Sequence, residues 1–356
     1  MRGSRKVQWV VRVVATSLAM ALLACRGAGE SSGGEPRNGA PTPSGVPLES
    51  TKSPTIEAAS AQPPTQRAPL DLTVVNDCVP PANPPLDTVR SQYDVVYSAP
   101  GGRQLALDVA WPRAKGPHPL VVMIHGGAWI GGDREYHRND ILRLAGQGYV
   151  AATIDYRLAG NPKNAFPAPL EDARCAVRFL RKHAPDFDID GSRVAAFGDS
   201  AGGHLAAMLA VAGDVPGDGT CAITDEPDDV QAAVLDYAPL DLRTFRRYPE
   251  SIQLATKYLL GGHDPTTHPD ETALASPATH LDAGDPPLLL LHGTNDRVVP
   301  FEESRDFAQL LEKAHVPHLY VELPAIPHGF LVLGSGRILR KSTCTTMAFL
   351  AETLHP

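Results

Sequence analysis

The stretch Val194-Ala195-Ala196-Phe197-Gly198-Asp199-Ser200-Ala201-Gly202-Gly203-His204 constrains the fold more than any other part of this chain. A short apolar run ends in glycine, a serine stands at the turn, and an alanine-rich helical pattern follows. Gly198-Asp199-Ser200-Ala201-Gly202 fits the G-x-S-x-G pattern, in which a strand turns sharply into a helix and presents a strained serine. The glycines have a steric role, because strand and helix backbones approach so closely there that a side chain at either flank would clash. Small residues around a serine also occur in ordinary loops. The pattern gains force only if a strand precedes it, a helix follows it, and chemical partners stand elsewhere in the chain.

The rhythm of the chain supplies the strands and helices. Tyr93 to Tyr97 and Gln104 to Trp111 alternate around Pro100-Gly101-Gly102, which predicts an antiparallel hairpin. Continuous apolar runs then follow at Leu120–Ile124, Tyr149–Ile154, Val194–Phe197, Ala232–Leu235, Leu288–Leu291 and Leu319–Leu323. Helical patterns lie between or after them, at 136–147, 169–183, 201–212, 251–260, 302–314 and 336–354. Alternating buried strands and helices imply a parallel sheet covered on both faces. In such sheets the functional crevice lies beyond the carboxyl ends of the strands. No internal repeat is visible.

Three loops after strands carry the chemistry. His125-Gly126-Gly127-Ala128-Trp129 follows the strand ending at Ile124, and its paired glycines allow backbone amides to face the crevice. Gly126, Gly127 and Ala201, the residue after the serine, are the expected donors to an oxyanion. Asp296, in His292-Gly-Thr-Asn-Asp296, stands a few residues beyond a strand end, as an orienting acid should. Asp241 is a rival acid, in the loop after the preceding strand. His328 follows the last strand, lies downstream of the acid and precedes Gly329, which suits a general base. The order Ser200, Asp296, His328 is that of serine, acid and histidine in α/β-hydrolases. Trp129 and Phe330 flank these residues and are candidates for a substrate pocket. His292, His204, His315 and His318 read as structural. No His-Glu-x-x-His or clustered Cys/His pattern points to a catalytic metal, and no cofactor is implied.

Taken together, residues 89–356 resemble the hormone-sensitive-lipase-like and BD-FAE-like (bifunctional feruloyl and acetyl-xylan esterase) carboxylesterases. The resemblance rests on His125-Gly-Gly-Ala-Trp-Ile-Gly-Gly-Asp133, Asp155-Tyr-Arg-Leu158, Leu170-Glu-Asp172, Gly198-Asp-Ser-Ala-Gly-Gly-His204, His292-Gly-Thr-Asn-Asp296 and His328-Gly-Phe330. It implies an α/β-hydrolase fold with a mostly parallel eight-stranded sheet and helices on both faces. It also implies hydrolysis of small carboxylic esters through an acyl-enzyme on Ser200. Two departures stand out: Ala128 replaces the third glycine of the family's His-Gly-Gly-Gly, and Ala159-Gly-Asn-Pro-Lys follows the Tyr-Arg-Leu segment. Two alternatives remain on this reading, an arylformamidase using the same three residues and a non-catalytic surface protein that keeps the fold for binding.

The N-terminal quarter is different in kind. Arg2, Arg5, Lys6 and Arg12 precede an apolar run from Val13 to Ala24, the layout of an export signal over residues 1–24. Leu22-Leu23-Ala24-Cys25 resembles a lipoprotein cleavage site, which would make Cys25 a lipid anchor in the cell envelope. Residues 25–88 are rich in Gly, Ser, Pro and Thr and are expected to form a tether, with folding beginning near Val89. Export favours disulfides among the other cysteines, Cys78, Cys175, Cys221 and Cys344. Of three pairings, Cys175 with Cys221 and Cys78 with Cys344 is favoured, since the latter would pin the end of the tether to the last helix. The formal charge of −8 gives no basic footprint for nucleic acid.

Overall fold

The computed structural model describes residues 70–330 and 337–354. The candidate export signal, the candidate anchor Cys25 and most of the expected tether lie outside the described residues.

Eight strands form one sheet: β1 (Val89–Ser98), β2 (Leu105–Pro112), β3 (His118–Ile124), β4 (Val150–Ile154), β5 (Ile189–Asp199), β6 (Ala232–Asp236), β7 (Leu288–Gly293) and β8 (His318–Leu323). Their order across the sheet is β1-β2-β4-β3-β5-β6-β7-β8. β1 and β2 pair antiparallel around the expected turn, β2 joins β4 antiparallel, and every pairing from β4 to β8 is parallel. Among the described residues the α-helices are α1 (Arg138–Ala145), α2 (Ala168–Lys182), α3 (Ala201–Val211), α4 (Glu250–Leu259), α5 (Pro269–Leu274), α6 (Glu302–Ala314) and α7 (Arg337–Leu354).

Strand periodicity divides the core in two. Leu120, Val122 and Ile124 of β3 face one apolar cluster with Leu205 of α3, Ala176 of α2 and Leu311 of α6. Val121 and Met123 face the opposite cluster, with Ile141 of α1 and Leu350 of α7. Because side chains alternate across a strand, a strand covered on both faces must be apolar throughout. Full burial of each such aliphatic side chain contributes about 1.5–3 kcal/mol, so the twin clusters carry the sheet. Both expected disulfides are present, Cys175–Cys221 and Cys78–Cys344, with Cα–Cα distances of 5.6 and 5.7 Å.

The boundary expected near Val89 moves. From Leu70 onward the chain lies on the domain without regular secondary structure. Leu72 and Val74 pack against the second cluster, the Val75 amide donates to Thr345 Oγ1 at 3.1 Å, and Arg143 Nε donates to Asn83 Oδ1 at 3.0 Å. Apolar side chains, hydrogen bonds and the Cys78–Cys344 disulfide together dock a segment whose composition is that of a linker.

Strand register sets the crevice. Ile124 stands opposite Gly198, Asp199 opposite Asp236, and Gly293 opposite Leu323. The loops that begin at His125, Ser200, Tyr237, Thr294 and Pro324 therefore leave the sheet along one edge.

Candidate active site

Ser200 occupies the turn between β5 and α3 with φ 52° and ψ −119°, a conformation that L-residues rarely adopt. The flanking glycines are sterically obligatory. A Cβ on Gly198 would lie 2.1 Å from the carbonyl oxygen of Gly202, and one on Gly202 would lie 2.0 Å from that of Ile124. The Ser200 amide donates to the Asp236 carbonyl at 2.8 Å, which ties the turn to the end of β6.

The three residues expected to act together meet there. His328 Nε2 is 3.1 Å from Ser200 Oγ, and His328 Nδ1 is 2.6 Å from Asp296 Oδ2. Asp296 is almost fully buried; its Oδ1 accepts the amides of Val298 at 2.8 Å and Val299 at 3.0 Å. Burial pulls its carboxyl pKa upward, but hydrogen bonds from His292 and His328 outweigh that and hold it well below the usual carboxylate range. Asp296 is thus a fixed anion. The rival Asp241 is elsewhere engaged, capping a short helical turn and pairing with Arg243 at 2.7 Å.

His292 read as a residue that merely ends a strand. It is fully buried with Nε2 3.3 Å from Asp296 Oδ2, while its Nδ1 meets Ser304 Oγ at 2.8 Å. It holds the acid in place. Nothing in its sequence position marks it for that role except its location four residues before Asp296.

The expected oxyanion donors need one correction. The Gly126 amide donates to Asp199 Oδ1 at 3.1 Å and is not available to a substrate. A Cβ on Gly126 would meet Asp199 Oδ2 at 2.6 Å, so the close approach explains the glycine. Among the described residues, no protein acceptor engages the amides of Gly127, Ala128 or Ala201. Gly127, Ala128 and Trp129 all have positive φ, at 124°, 54° and 60°, and this curls the loop. Ala201 is the first residue of α3, where helix amides have no partner within the helix.

Trp129 and Phe330 also depart from expectation, since both are core residues and not the walls of an open pocket. Trp129 is 1 % exposed, and its Nε1 donates to His204 Nδ1 at 3.3 Å, because the curled loop carries the indole back onto α3. Burial lowers the His204 pKa to about 4, leaving a neutral ring whose Nε2–H donates to the Ala275 carbonyl at 2.8 Å. The Phe330 ring packs edge-on to Tyr237 at 4.7 Å, and its carbonyl accepts the Tyr237 hydroxyl at 3.1 Å.

A buried polar network behind the serine joins these loops. Asp199 accepts from the Gly126 amide and lies 3.0 Å from His137 Nε2 and 3.4 Å from the Tyr237 hydroxyl. His137 Nδ1 meets Asp140 Oδ2 at 3.1 Å. Burial would lower the His137 pKa, but its bonds to Asp140 and Asp199 outweigh burial and raise it to about 9. The Tyr237 ring packs 4.7 Å from that of His328. Asp199 therefore connects the glycine loop, the base of α1 and the histidine loop. The other motif residues brace the scaffold: Arg134 Nη1 pairs with Asp155 Oδ2 at 2.6 Å, and Arg157 Nη2 with Asp172 Oδ1 at 2.8 Å.

Comparison with known proteins follows the same outline. The chain is 33% identical over 260 residues to "Probable carboxylic ester hydrolase LipM" of Mycobacterium tuberculosis, covering 70% of this chain and 59% of LipM. It is 32% identical over 225 residues to "Esterase LipC" of the same organism, covering 62% of this chain and 55% of LipC. The chain thus spans less than two thirds of the length of these relatives. Among solved structures, the propionate-bound esterase Est2 of the planctomycete Thermogutta terrifontis superposes with a TM-score of 0.63 at 28% identity, covering 77% of this chain and 98% of Est2. The BD-FAE family model matches residues 107–311, a span that runs from β2 through the serine turn and Asp296 into α6. The chain belongs to the BD-FAE family.

Proposed function

We propose that the protein is a serine carboxylesterase acting on small carboxylic esters. The observation that carries this reading is the chain of contacts from Ser200 Oγ through His328 to the anionic Asp296, mounted on a strained turn. In the proposed reaction Ser200 Oγ attacks the ester carbonyl while His328 Nε2 takes the hydroxyl proton. Asp296 orients the ring and stabilises the imidazolium. The amides of Gly127, Ala128 and Ala201 receive the developing oxyanion; preorganised donors of this kind contribute about 10²–10³-fold each. His328 then returns the proton to the leaving alcohol, which departs as the acyl-serine forms. Water, deprotonated by the same imidazole, attacks the acyl carbon and restores Ser200. The esterase names of LipM and LipC support the ester bond as the target, and the propionate bound to Est2 supports a short acyl group.

Hydrolysis of p-nitrophenyl acetate, propionate and butyrate by the wild type and Ser200→Ala tests the reading. Turnover is expected to fall by about 10⁴–10⁶-fold in the variant with the thermal transition preserved. Unchanged turnover would overturn the assignment of the nucleophile. Faster cleavage of N-formylkynurenine than of any ester would make the enzyme a formamidase, and absence of fluorophosphonate labelling at Ser200 would favour a binding protein.

A further inference from the structure

The segment joining α4 to α5 plays no part in the chemistry above, yet it brings three metal-ligating side chains together. His263, His268 and Glu271 each offer one ligand atom, and these atoms lie within 4.8 Å of one another. The two imidazoles stack with ring centroids 4.2 Å apart and an interplanar angle of 13°, while His263 Nδ1 lies 2.5 Å from Glu271 Oε2.

The turn that presents them is internally fixed. Gly261 and Gly262, with φ 68° and 96°, end α4 and redirect the chain toward His263. Asp264 then holds the next residues: its Oδ1 accepts from the Thr266 amide at 3.0 Å, and its backbone carbonyl from the amides of Thr267 at 3.0 Å and His268 at 3.1 Å. Lys257 clamps the other Asp264 oxygen at 2.7 Å. Asp264 is thereby satisfied within the turn and leaves the cluster to the other three residues.

The surroundings of His268 favour one tautomer, since its Nδ1 also lies 3.4 Å from the Asp264 carbonyl, which can only accept. The Thr267 hydroxyl donates to the Asp264 carbonyl at 3.2 Å, so its oxygen is free to accept from His268 Nδ1 at 2.9 Å. With Nδ1 as the donor, the Nε2 lone pair is left for a ligand. Metal-binding histidines are commonly oriented in this way, one ring nitrogen donating to a protein acceptor and the other facing the metal. Two imidazoles and one carboxylate suit a borderline divalent ion such as zinc, with a further position for water. Magnesium and calcium prefer sites built from oxygen alone.

We propose that His263, His268 and Glu271 form a binding site for a divalent transition-metal ion of the zinc class, outside the ester-hydrolysing centre. All three ligands come from one short, pre-shaped segment, so binding carries little loop-closure cost. The bound ion would cross-link the end of α4 to the first turn of α5. The carbonyl of Ala275, immediately after α5, accepts from His204, so the cross-link stiffens a connection that runs into the core.

The test uses the disulfide-bonded protein, freed of any affinity tag and stripped with chelator. Zinc chloride, magnesium chloride and calcium chloride are titrated separately by calorimetry into the wild type, His263→Ala, His268→Ala, the double variant and Glu271→Gln. Expected are one saturable zinc site per chain, no calcium or magnesium uptake, and a loss of zinc affinity of about tenfold or more in each single variant. Zinc should also raise the Tm of the wild type and not that of the double variant. The His268 side chain makes no capping bond to α5, so its variant is expected to fold and to hydrolyse p-nitrophenyl esters as the wild type does. Absence of zinc uptake by the wild type overturns the proposal, as does equal affinity in the wild type and a folded double variant.

Discussion

Asp199 sits immediately before the nucleophile, and its burial creates an electrostatic problem that the neighbouring residues solve. A second buried carboxyl, Asp236, lies at the end of the next strand, and burial followed by repulsion from Asp199 raises its pKa well above the ordinary value. Burial and that repulsion favour the neutral form of Asp236, and a buried carboxylate beside it needs a partner, since an uncompensated buried charge is strongly destabilising. His137 supplies the pairing. Because its folded-state pKa of about 9 exceeds the ordinary 6.5, the folded protein holds this proton more tightly than the unfolded chain does. The stabilisation is complete below pH 6.5 and is lost as pH rises through 9; its size is on the order of 3 kcal/mol. The Tm of the wild type should thus decline between these values, while His137→Gln should start lower and follow a flatter curve. Parallel curves for the two proteins would remove His137 from this role. None of this was legible in the sequence. His137 and Asp199 are 62 residues apart, and Asp199 fills a position of the G-x-S-x-G pattern that the pattern leaves open. The reactive residues were legible because their chemistry demands particular loops, whereas the Gly126 correction depends on where a neighbouring carboxylate points.

At the scale of elements, strand ends were the most readable feature. The runs at Leu120–Ile124 and Leu288–Leu291 are apolar because both their faces are covered, and the residues after them must turn. The apolar run marks only Val194–Phe197 of β5, whereas the strand pairs with β3 from Ile189. Ile189 and Asp190 pair with His118 and Pro119, Gly191-Ser-Arg193 bulge out of register, and pairing resumes at Val194 opposite Leu120, so no continuous apolar pattern marks the start of the strand. The helix α5 was missed because its six residues, Pro269–Leu274, are too few to display a period. The serine turn shows the opposite case, in which a steric demand made the sequence explicit. In Gly202→Ala the new methyl group would meet the Ile124 carbonyl oxygen at 2.0 Å and that of His125 at 2.6 Å. Both obstacles are backbone in the sheet and the glycine loop, so neither can yield without disturbing the site. Gly202→Ala should lose at least about 3 kcal/mol, or fail to accumulate as folded protein. Gly213→Ala, where a Cβ meets nothing within 4 Å, should stay within about 0.5 kcal/mol of the wild type. Urea midpoints report both, and similar midpoints would mean that strand and helix at this turn can separate.

For the molecule as a whole, composition marked a linker before the domain but could not say where docking begins. The answer depends on partners at the other end of the chain: Val75 meets Thr345, the Asp71 amide donates to Glu352 Oε1 at 3.2 Å, and Asp77 pairs with Arg340 at 3.0 Å. Apart from the apolar contacts of Leu72 and Val74, these are peripheral polar contacts, each worth about 1 kcal/mol or less. The Cys78–Cys344 bond, closing a separation of 266 residues, is therefore expected to be the main restraint on the segment. The other bond, Cys175–Cys221, lies among core residues of α2 and the loop before β6 and serves a separate region. Cys78→Ser combined with Cys344→Ser should lower global stability by about 2–5 kcal/mol, the usual effect of losing a native disulfide. The loss should be uneven. Limited proteolysis is expected to cut first between residues 70 and 88, while the β-sheet and the serine turn, which do not touch this bond, continue to hydrolyse p-nitrophenyl esters. A protease pattern identical to that of the wild type would show that Leu72, Val74 and the α7 contacts hold the segment unaided.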